Sequence, residues 1–159
     1  MDIINNEELE NKAKELGFSK LLVLGVNANI IEEKDFSKIP KLKNKYVNFI
    51  AKGTRKAFEN KNIQFILPIM NHPKDHTHYR NSGMDQILAK ISKQKNKTII
   101  FDFSELQNSK NRQQLLGRWM QNIRLCKKYK VDWEIVSFAK NSADLKSAND
   151  LKAIKRLLT

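Results

Sequence analysis

The sequence predicts an α/β fold with a mostly parallel sheet, arranged as a shortened or incomplete barrel with outer helices. Amphipathic helical segments alternate with short apolar runs, which is typical of parallel sheets. The run TIIFDF at 98–103 is nearly continuous in apolar residues, as expected for a strand covered on both faces. Five clear strands in 159 residues are too few for an eight-unit barrel, which usually takes about 250 residues. An open doubly wound sheet is the alternative, and we expect one domain over residues 1–159.

The N-terminal half is predicted to begin with a helix over 7–16, because apolar residues there follow helical spacing. Gly17 stands where a left-handed cap would end this helix. The stretch 27–45 is rich in charge and contains Pro40, so it is predicted as a loop with a short helix at most. Strands are predicted over 21–26, 46–51 and 63–70, with a short helix over 54–60 and a strand stub at 3–4.

The C-terminal half repeats the order of helix and strand. Ser82 is predicted to cap a helix, with Asp85 completing a capping box three residues later. Apolar spacing predicts a buried helical face formed by Met84, Ile87, Leu88 and Ile91. A lysine-rich loop over 93–97 then leads into the strand at 98–103. The remaining elements are predicted as helices over 112–129 and 149–158 and a strand over 133–138.

The charge of the chain bears most directly on its partners. Lys and Arg number 30 against 17 Asp and Glu, and the formal net charge of +13 favours polyanions such as nucleic acid. No apolar run approaches the roughly 20 residues of a spanning helix. The acidic start is also unlike a signal peptide, so no membrane partner is expected. Cys126 is the one cysteine, which excludes an intramolecular disulfide, and we expect a cytoplasmic location.

The predicted helix over 112–129 has a broad apolar side and an opposite side that is polar and basic. That opposite side has no acid to pair its cations, whereas ordinary surface helices mix both signs, so nucleic acid is its predicted partner. Few aromatic residues stand between the cations. We therefore expect contacts to phosphates and to folded RNA shape rather than base stacking. The polar side carries Gln113, Gln114, Gln121, Arg124 and Lys128, with Arg118 near the boundary, and Arg80, Lys90, Lys93, Lys95 and Lys97 extend the positive charge.

The histidines are the strongest candidates for catalytic chemistry. All three lie in the segment HPKDHTH, where His72, His76 and His78 flank Asp75. Such a set can bind zinc, and a free-standing metal-dependent phosphoesterase on a shortened barrel is the alternative function. A solvated loop is favoured, because metal centres in α/β barrels draw ligands from several strand ends. Asp102 is expected to cap a backbone amide, and no nucleophile elbow or glycine-rich phosphate loop is present, so no catalytic or metal-binding residue is assigned.

Three phrases follow one another along the chain: RNSGMDQILAK at 80–90, MQNIRLCKKYKV at 120–131 and SADLKSANDLKAIKRLL at 142–158. In this order they resemble signatures of ribonuclease P protein component 3, the archaeal counterpart of the thirty-kilodalton eukaryotic ribonuclease P subunit. The resemblance covers most of 7–159, but Gln86 replaces the family histidine of the first phrase and the stretch 27–45 is compressed. The matching residues are Arg80, Ser82, Gly83, Met84, Ile87, Leu88, Ala89 and Lys90, then Gln121, Asn122, Arg124, Lys128, Tyr129 and Val131, then Asp144, Leu145, Asp150, Leu151 and Ala153.

This resemblance implies a TIM-barrel-like fold without a catalytic centre of its own. It implies a non-catalytic RNA-binding subunit of ribonuclease P, the endonuclease assembly that removes the 5′ leader from precursor tRNA. The expected partners are the ribonuclease P RNA, precursor tRNA through the complex, and a Pop-five-type small protein subunit in a dimer of heterodimers. Mg²⁺ is expected at the RNA of the holoenzyme, and no cofactor is expected on this chain.

The predicted role is to neutralise phosphates and to hold folded RNA in register. Besides the phosphoesterase, a third hypothesis is a structural adaptor whose positive surface meets an acidic protein. The predicted RNA contacts are Arg55, Arg80, Lys90, Arg118, Arg124 and Lys146.

Overall fold

The computed structural model describes residues 1–70 and 72–159, and seven strands of this part of the chain pair in parallel. The strands are β1 (Asp2–Ile4), β2 (Leu21–Val23), β3 (Ala28–Ile31), β4 (Asn48–Lys52), β5 (Phe65–Leu67), β6 (Thr98–Asp102) and β7 (Asp132–Val136). The α-helices are α1 (Glu10–Glu15), α2 (Ile39–Leu42), α3 (Arg55–Glu59), α4 (Gln86–Gln94), α5 (Phe103–Asn108), α6 (Arg112–Tyr129) and α7 (Ala148–Leu157). Short 3₁₀ turns at Glu7–Leu9 and Glu33–Lys38 precede α1 and α2.

The strands form a five-stranded sheet in the order β3-β4-β5-β6-β7 and a two-stranded sheet of β1 and β2. The predicted α/β class with a parallel sheet is therefore confirmed. Single bridges join the two sheets, from Ile4 to Ala139 and from Leu24 to Ala28. Over the described residues these ladders do not run continuously round a closed barrel, so the barrel itself is not confirmed.

A buried carboxylate strengthens the junction between β1 and β7. Asp2 accepts hydrogen bonds of 2.6 Å from both the backbone N–H and the Oγ of Ser137. Close by, the N–H of Asn5 donates to the carbonyl of Ala139 at 2.9 Å. Burial raises the pKa of the Asp2 carboxyl, although the Ser137 hydrogen bonds oppose this shift. The first strand is thus attached to the last one through side-chain and backbone contacts.

Two apolar clusters stabilise the fold. The larger one lies between the sheets and the helices, and it includes Trp119 of α6 packed against Phe101 of β6 with ring centroids 5.1 Å apart. The smaller one takes at least one buried side chain from each of the seven described strands. Its strand members are Ile3, Leu22, Ala28, Ile50, Phe65, Ile100 and Val136, and Phe138 joins them after β7.

Several predicted elements are confirmed, α6 with its predicted bounds among them. Gly17 follows α1 with a left-handed φ of 90°, as predicted. The prediction of a loop with a short helix at most for 27–45 is wrong over Ala28–Ile31, where β3 is held by the ladder to β4, whereas the short helix is present as α2. The strand prediction at 98–103 ends one residue late, since Asp102 caps the unpredicted helix α5.

The prediction for the start of α4 is also wrong in two respects. Asp85, and not Ser82, is the N-cap, and its carboxylate accepts from the N–H of Leu88 at 2.8 Å. Ile87 is 57% exposed rather than buried, because α4 begins at Gln86 and turns its first residues toward solvent. Within the described residues, none of the helices combines the length and the apolar character needed to cross a lipid bilayer.

Candidate nucleic-acid interface

The candidate site is built on α6, the longest helix of the described residues. Its inner face is buried against the sheet through Leu115, Trp119, Ile123 and Cys126. The C-cap of α6 is Lys130, whose backbone lies in the left-handed region with a φ of 56°. The outer face of α6 receives the segment 72–83, which connects β5 with α4.

Arg118 anchors this segment from inside the molecule. Its side chain is only 3% exposed, and its Nε donates to Asp75 Oδ1 at 2.8 Å. Its Nη1 donates to the carbonyls of Met70 and His72. The predicted RNA contact at Arg118 is therefore not supported, because the guanidinium is buried among internal partners. Periodicity placed Arg118 at the boundary of the polar side, but it did not indicate the carboxylate that draws the side chain inward.

Asp75 is the acid that the sequence offered as a possible metal ligand. It accepts from Arg118, from the N–H of Asn81 at 2.9 Å and from Gln114 at 3.3 Å. Burial raises the pKa of the Asp75 carboxyl, but these hydrogen bonds outweigh burial, and the net pKa lies below the ordinary value. Asp75 is thus an ionised carboxylate that holds the segment 72–83 against α6.

Two neighbouring amides of α6 hold the first phrase of the resemblance. Gln121 accepts from the N–H of Arg80 at 3.0 Å and donates to the Arg80 carbonyl at 2.9 Å. It also donates to Ser82 Oγ at 2.7 Å, and Asn122 donates to the Ser82 carbonyl at 2.8 Å. Gln121 was predicted as part of a solvated face, which is wrong, because both ends of its amide are engaged by the chain. The first and second phrases are therefore spatial partners.

Two glycines allow close approaches at this segment, one to the backbone after β5 and one to α6. Gly83 has a φ of 74°, and a Cβ on it would overlap the backbone of Ile69. A Cβ at Gly117 would overlap the guanidinium of Arg80, which therefore lies directly against α6. The Nη1 of Arg80 is 3.9 Å from Asp75 Oδ2, and about half of its side chain faces solvent. Arg80 is thus a positioned cation at the surface.

Three further cations lie on α4 and on the C-terminal half of α6. Arg124 and Lys128 follow Gly117 and Gln121 along one stripe of α6. Lys90 of α4 and Lys128 flank the ring of Tyr129, with their Nζ atoms 5.9 and 5.6 Å from its centroid. Among the described residues, none of Lys90, Arg124 and Lys128 forms an ion pair. We call Arg80, Lys90, Arg124 and Lys128 the α6 basic face.

The other two predicted contacts belong to different elements. Arg55 begins α3, and its Nε is 2.8 Å from Glu59 Oε1 in an exposed ion pair. Lys146 lies in the segment between β7 and α7, and its Nζ donates to the carbonyl of Ala143 at 3.5 Å. Of the predicted set, Arg80, Lys90 and Arg124 thus lie on the segment packed against α6, on α4 and on α6 itself, whereas Arg118 is buried and Arg55 and Lys146 lie elsewhere.

Lys97 was predicted to extend the positive surface, and this prediction is wrong. Its side chain is 1% exposed, and its Nζ donates to the carbonyls of Asn60 and Ile63. Burial, and to a lesser extent the charge of Lys95, lowers the pKa of Lys97 from 10.5 to about 8. It is a structural residue between β6 and the turn that follows α3.

Other candidate catalytic groups have structural roles or lie at the surface. His76 and His78 are exposed, and His72 is half-buried. In the described part of the chain, no group of three or more His, Cys, Asp and Glu side chains could hold a metal ion. The prediction that Asp102 caps a backbone amide is confirmed by its 3.0 Å hydrogen bond from the N–H of Glu105. Cys126 is buried, which raises its pKa to about 12 and leaves the thiol unreactive.

Comparison with known proteins gives a likeness to solved structures. No family model matches the sequence, and no curated protein matches it. Among solved structures, the chain is similar to a chain in a cryo-EM structure of archaeal ribonuclease P with mature tRNA. The alignment covers 99% of this chain and 82% of that one, with a TM-score of 0.78 and 22% sequence identity. At this identity, the likeness shows that the two chains share a mixed α/β fold.

Proposed function

We propose that this chain is a non-catalytic RNA-binding protein subunit of ribonuclease P. The observation that carries the proposal is the fold likeness over 99% of the chain to part of an archaeal ribonuclease P. The α6 basic face supports it independently, because its exposed cations Lys90, Arg124 and Lys128 have no carboxylate partner among the described residues and are available to phosphates. The three ordered phrases of the sequence support the same assembly, with component 3 as the particular subunit.

The finer parts of the proposal follow from this assignment. We infer an incomplete TIM-type barrel, supported by the apolar cluster to which every described strand contributes. The chain would bind ribonuclease P RNA, meet precursor tRNA through the complex, and pair with a Pop-five-type small subunit in a dimer of heterodimers. Hydrolysis would be performed by RNA-bound Mg²⁺ in the cytoplasm. This chain would neutralise phosphates and hold the RNA fold in register.

The structure revises the residues assigned to RNA contact. Arg80, Lys90 and Arg124 remain, and Lys128 joins them because it shares the stripe of Arg124 on α6. Arg118 becomes a positioning residue that acts through Asp75 and the segment 72–83. Arg55 and Lys146 remain proposed contacts outside the α6 basic face.

Charge reversal at Arg124 tests the proposal directly. Filter binding of an archaeal ribonuclease P RNA should show that Arg124→Glu weakens affinity by about tenfold or more, because it replaces a phosphate-binding cation by an acid. Lys41→Glu is the matched control, since Lys41 is an exposed lysine of α2 and the charge change is identical. Circular dichroism should be unchanged in both variants. Equal losses in both variants, or no loss in either, would contradict a specific RNA-binding face.

Reconstitution distinguishes a subunit from a free-standing hydrolase. Protein stripped of RNA should not cleave precursor tRNA, whereas the holoenzyme assembled with RNA should release the 5′ leader. Cleavage by the RNA-free chain, together with stoichiometric bound metal in a chelator-free preparation, would favour the phosphoesterase instead. An adaptor for acidic proteins would persist in pull-down after nuclease treatment, while an RNA-dependent complex would disperse.

A further inference from the structure

An apolar groove opens beside the α6 basic face and has no role in the function proposed so far. It lies between α6 and the segment that leads into α4, and its volume is about 400 Å³. Pockets that hold small organic molecules range over roughly 300–1,000 Å³, so the groove is large enough for one planar ring system. Its apolar lining comes from Tyr79, Met84 and Leu125.

Tyr79 makes this groove unusual for a protein surface. Its side chain is 62% exposed, and its ring rests on His76 with centroids 4.5 Å apart and an interplanar angle of 35°. The neighbouring His76 ring contacts Tyr79 on one side and leaves most of the Tyr79 ring open to solvent. An exposed aromatic ring beside a basic surface is the usual platform for an unpaired base.

The polar residues around the groove favour an anionic occupant. Arg124 and Lys128 line it on the α6 side. Asp85 is the one acidic residue in the lining, and its carboxylate is engaged as the N-cap of α4. Gln86, whose Oε1 accepts from Tyr129 at 3.0 Å, adds an amide at the groove that suits hydrogen bonding to a base edge.

We propose that this groove takes the base of an unpaired RNA nucleotide, which stacks on Tyr79 while its flanking phosphates meet Arg124 and Lys128. This inference rests on the proposed RNA-binding function and deepens it, because it assigns part of the recognised RNA to a single-stranded or bulged nucleotide. It also revises the sequence-based expectation of phosphate and shape contacts without base stacking. An acidic peptide also has charge complementary to Arg124 and Lys128. The base is favoured because the exposed ring of Tyr79 offers a planar platform, which a peptide does not require.

The test uses the full chain and two RNA probes with the same number of phosphates. One probe is a single-stranded oligoribonucleotide with 2-aminopurine at its centre, and the other is a blunt duplex. Tyr79→Ala should lower affinity for the single strand by roughly five- to a hundredfold, as expected for the loss of one stacked base. Affinity for the duplex should not change, because phosphate contacts are retained. Tyr79→Phe keeps the ring and should bind both probes as the wild type does.

Fluorescence supplies a second measurement that does not depend on affinity. Stacking on Tyr79 should change the emission of 2-aminopurine at saturation, and this change should be lost in Tyr79→Ala but kept in Tyr79→Phe. If Tyr79→Ala binds both probes like the wild type and keeps the emission change, the groove inference is wrong while RNA binding stands. If the wild type shows no salt-dependent affinity for either probe, the proposed function itself is wrong. If Tyr79→Ala weakens binding of poly-glutamate but not of RNA, the groove binds an acidic protein rather than a base, and the inference is also wrong.

Discussion

At the scale of single residues, Lys97 shows how a cation can belong to the core rather than to the surface. Its ammonium donates to two backbone carbonyls that precede β5, so it connects the start of β6 with the preceding turn. The pKa of about 8 means that the buried ammonium is disfavoured relative to its unfolded state, where the pKa is 10.5. Protonation of Lys97 and folding are therefore linked.

The linkage predicts a specific pH dependence of stability. Between pH 8 and 10.5 the unfolded chain binds more protons at Lys97 than the native chain does, so this residue makes the free energy of unfolding rise with pH across that window. A shift from 10.5 to about 8 corresponds to an increment of roughly 3 kcal/mol. Urea unfolding across this window should show the increment in wild type and in Lys93→Met, an exposed control, but not in Lys97→Met. Parallel curves for Lys97→Met and wild type would contradict the linkage.

Two arginines of α6 show which part of a site a sequence can predict. Arg124 is exposed on the outer side of α6, as the helical wheel predicted, because its direction depends only on local periodicity. Arg118 does not, because its direction depends on Asp75, which lies 43 residues earlier in the chain. Gln121 was misplaced for the same reason, since its partner Arg80 is 41 residues away. Residues that face solvent can be predicted from spacing, whereas residues that bind a distant segment require the fold.

At the scale of elements, α6 acts as the support on which the segment 72–83 is built. Gly117 is the point of closest approach, because the guanidinium of Arg80 occupies the space of its missing side chain. A methyl group there would displace the end of a flexible side chain and leave the backbone in place. Gly117 thus allows the Arg80 side chain to take its position at the surface, because glycine has no side chain that would displace it.

Gly117→Ala should separate stability from RNA binding. Alanine is favoured over glycine inside a helix by about 1 kcal/mol, so thermal unfolding should occur at an equal or slightly higher temperature. Affinity for ribonuclease P RNA should nevertheless fall by several-fold, because Arg80 is displaced. In an Arg80→Ala background the same glycine substitution should have no further effect on affinity, which makes the double mutant the control. An additive loss in the double mutant would show that Gly117 acts independently of Arg80.

Elements were predictable in proportion to their length and periodicity. The 18 residues of α6 repeat their apolar spacing several times, so its bounds were predicted correctly. β3 has only four residues, two of them Ala28 and Asn29, and neither residue type favours a strand. Its ladder to β4 supplies the hydrogen bonds that local sequence does not indicate. α5 was missed because the apolar run continues through Phe103, although Asp102 has already turned the chain into a helix.

At the scale of the whole molecule, the net charge of +13 does not show which basic residues are available to a partner. Ion pairs engage several basic residues, among them Lys14, Lys56 and Arg55. The α6 basic face keeps Lys90, Arg124 and Lys128 without such partners among the described residues. Overall composition predicted a polyanionic partner, but only the fold distinguishes cations that are available to it.

The salt dependence of RNA affinity measures how many of these cations contact phosphates. The logarithm of the RNA association constant should fall linearly with the logarithm of salt concentration, with a slope set by the number of neutralised phosphates. Arg124→Gln and Lys128→Gln should each reduce the magnitude of this slope by about one. Lys41→Gln should leave it unchanged, because Lys41 lies on α2. A slope near zero for the wild type would exclude phosphate neutralisation as the basis of binding.

The hydrogen bonds between Asp2 and Ser137 have a consequence for the order of folding during synthesis. This contact spans 135 residues of chain, so it cannot form until the ribosome has released nearly the whole fold. The βα units from β3 to β6 rest on much nearer neighbours and can assemble earlier. Until β7 emerges, β1 lacks the bridge to Ala139, and the apolar cluster that the strands share lacks Val136 and Phe138. Nascent chains stalled before residue 137 should therefore be the ones that chaperones retain.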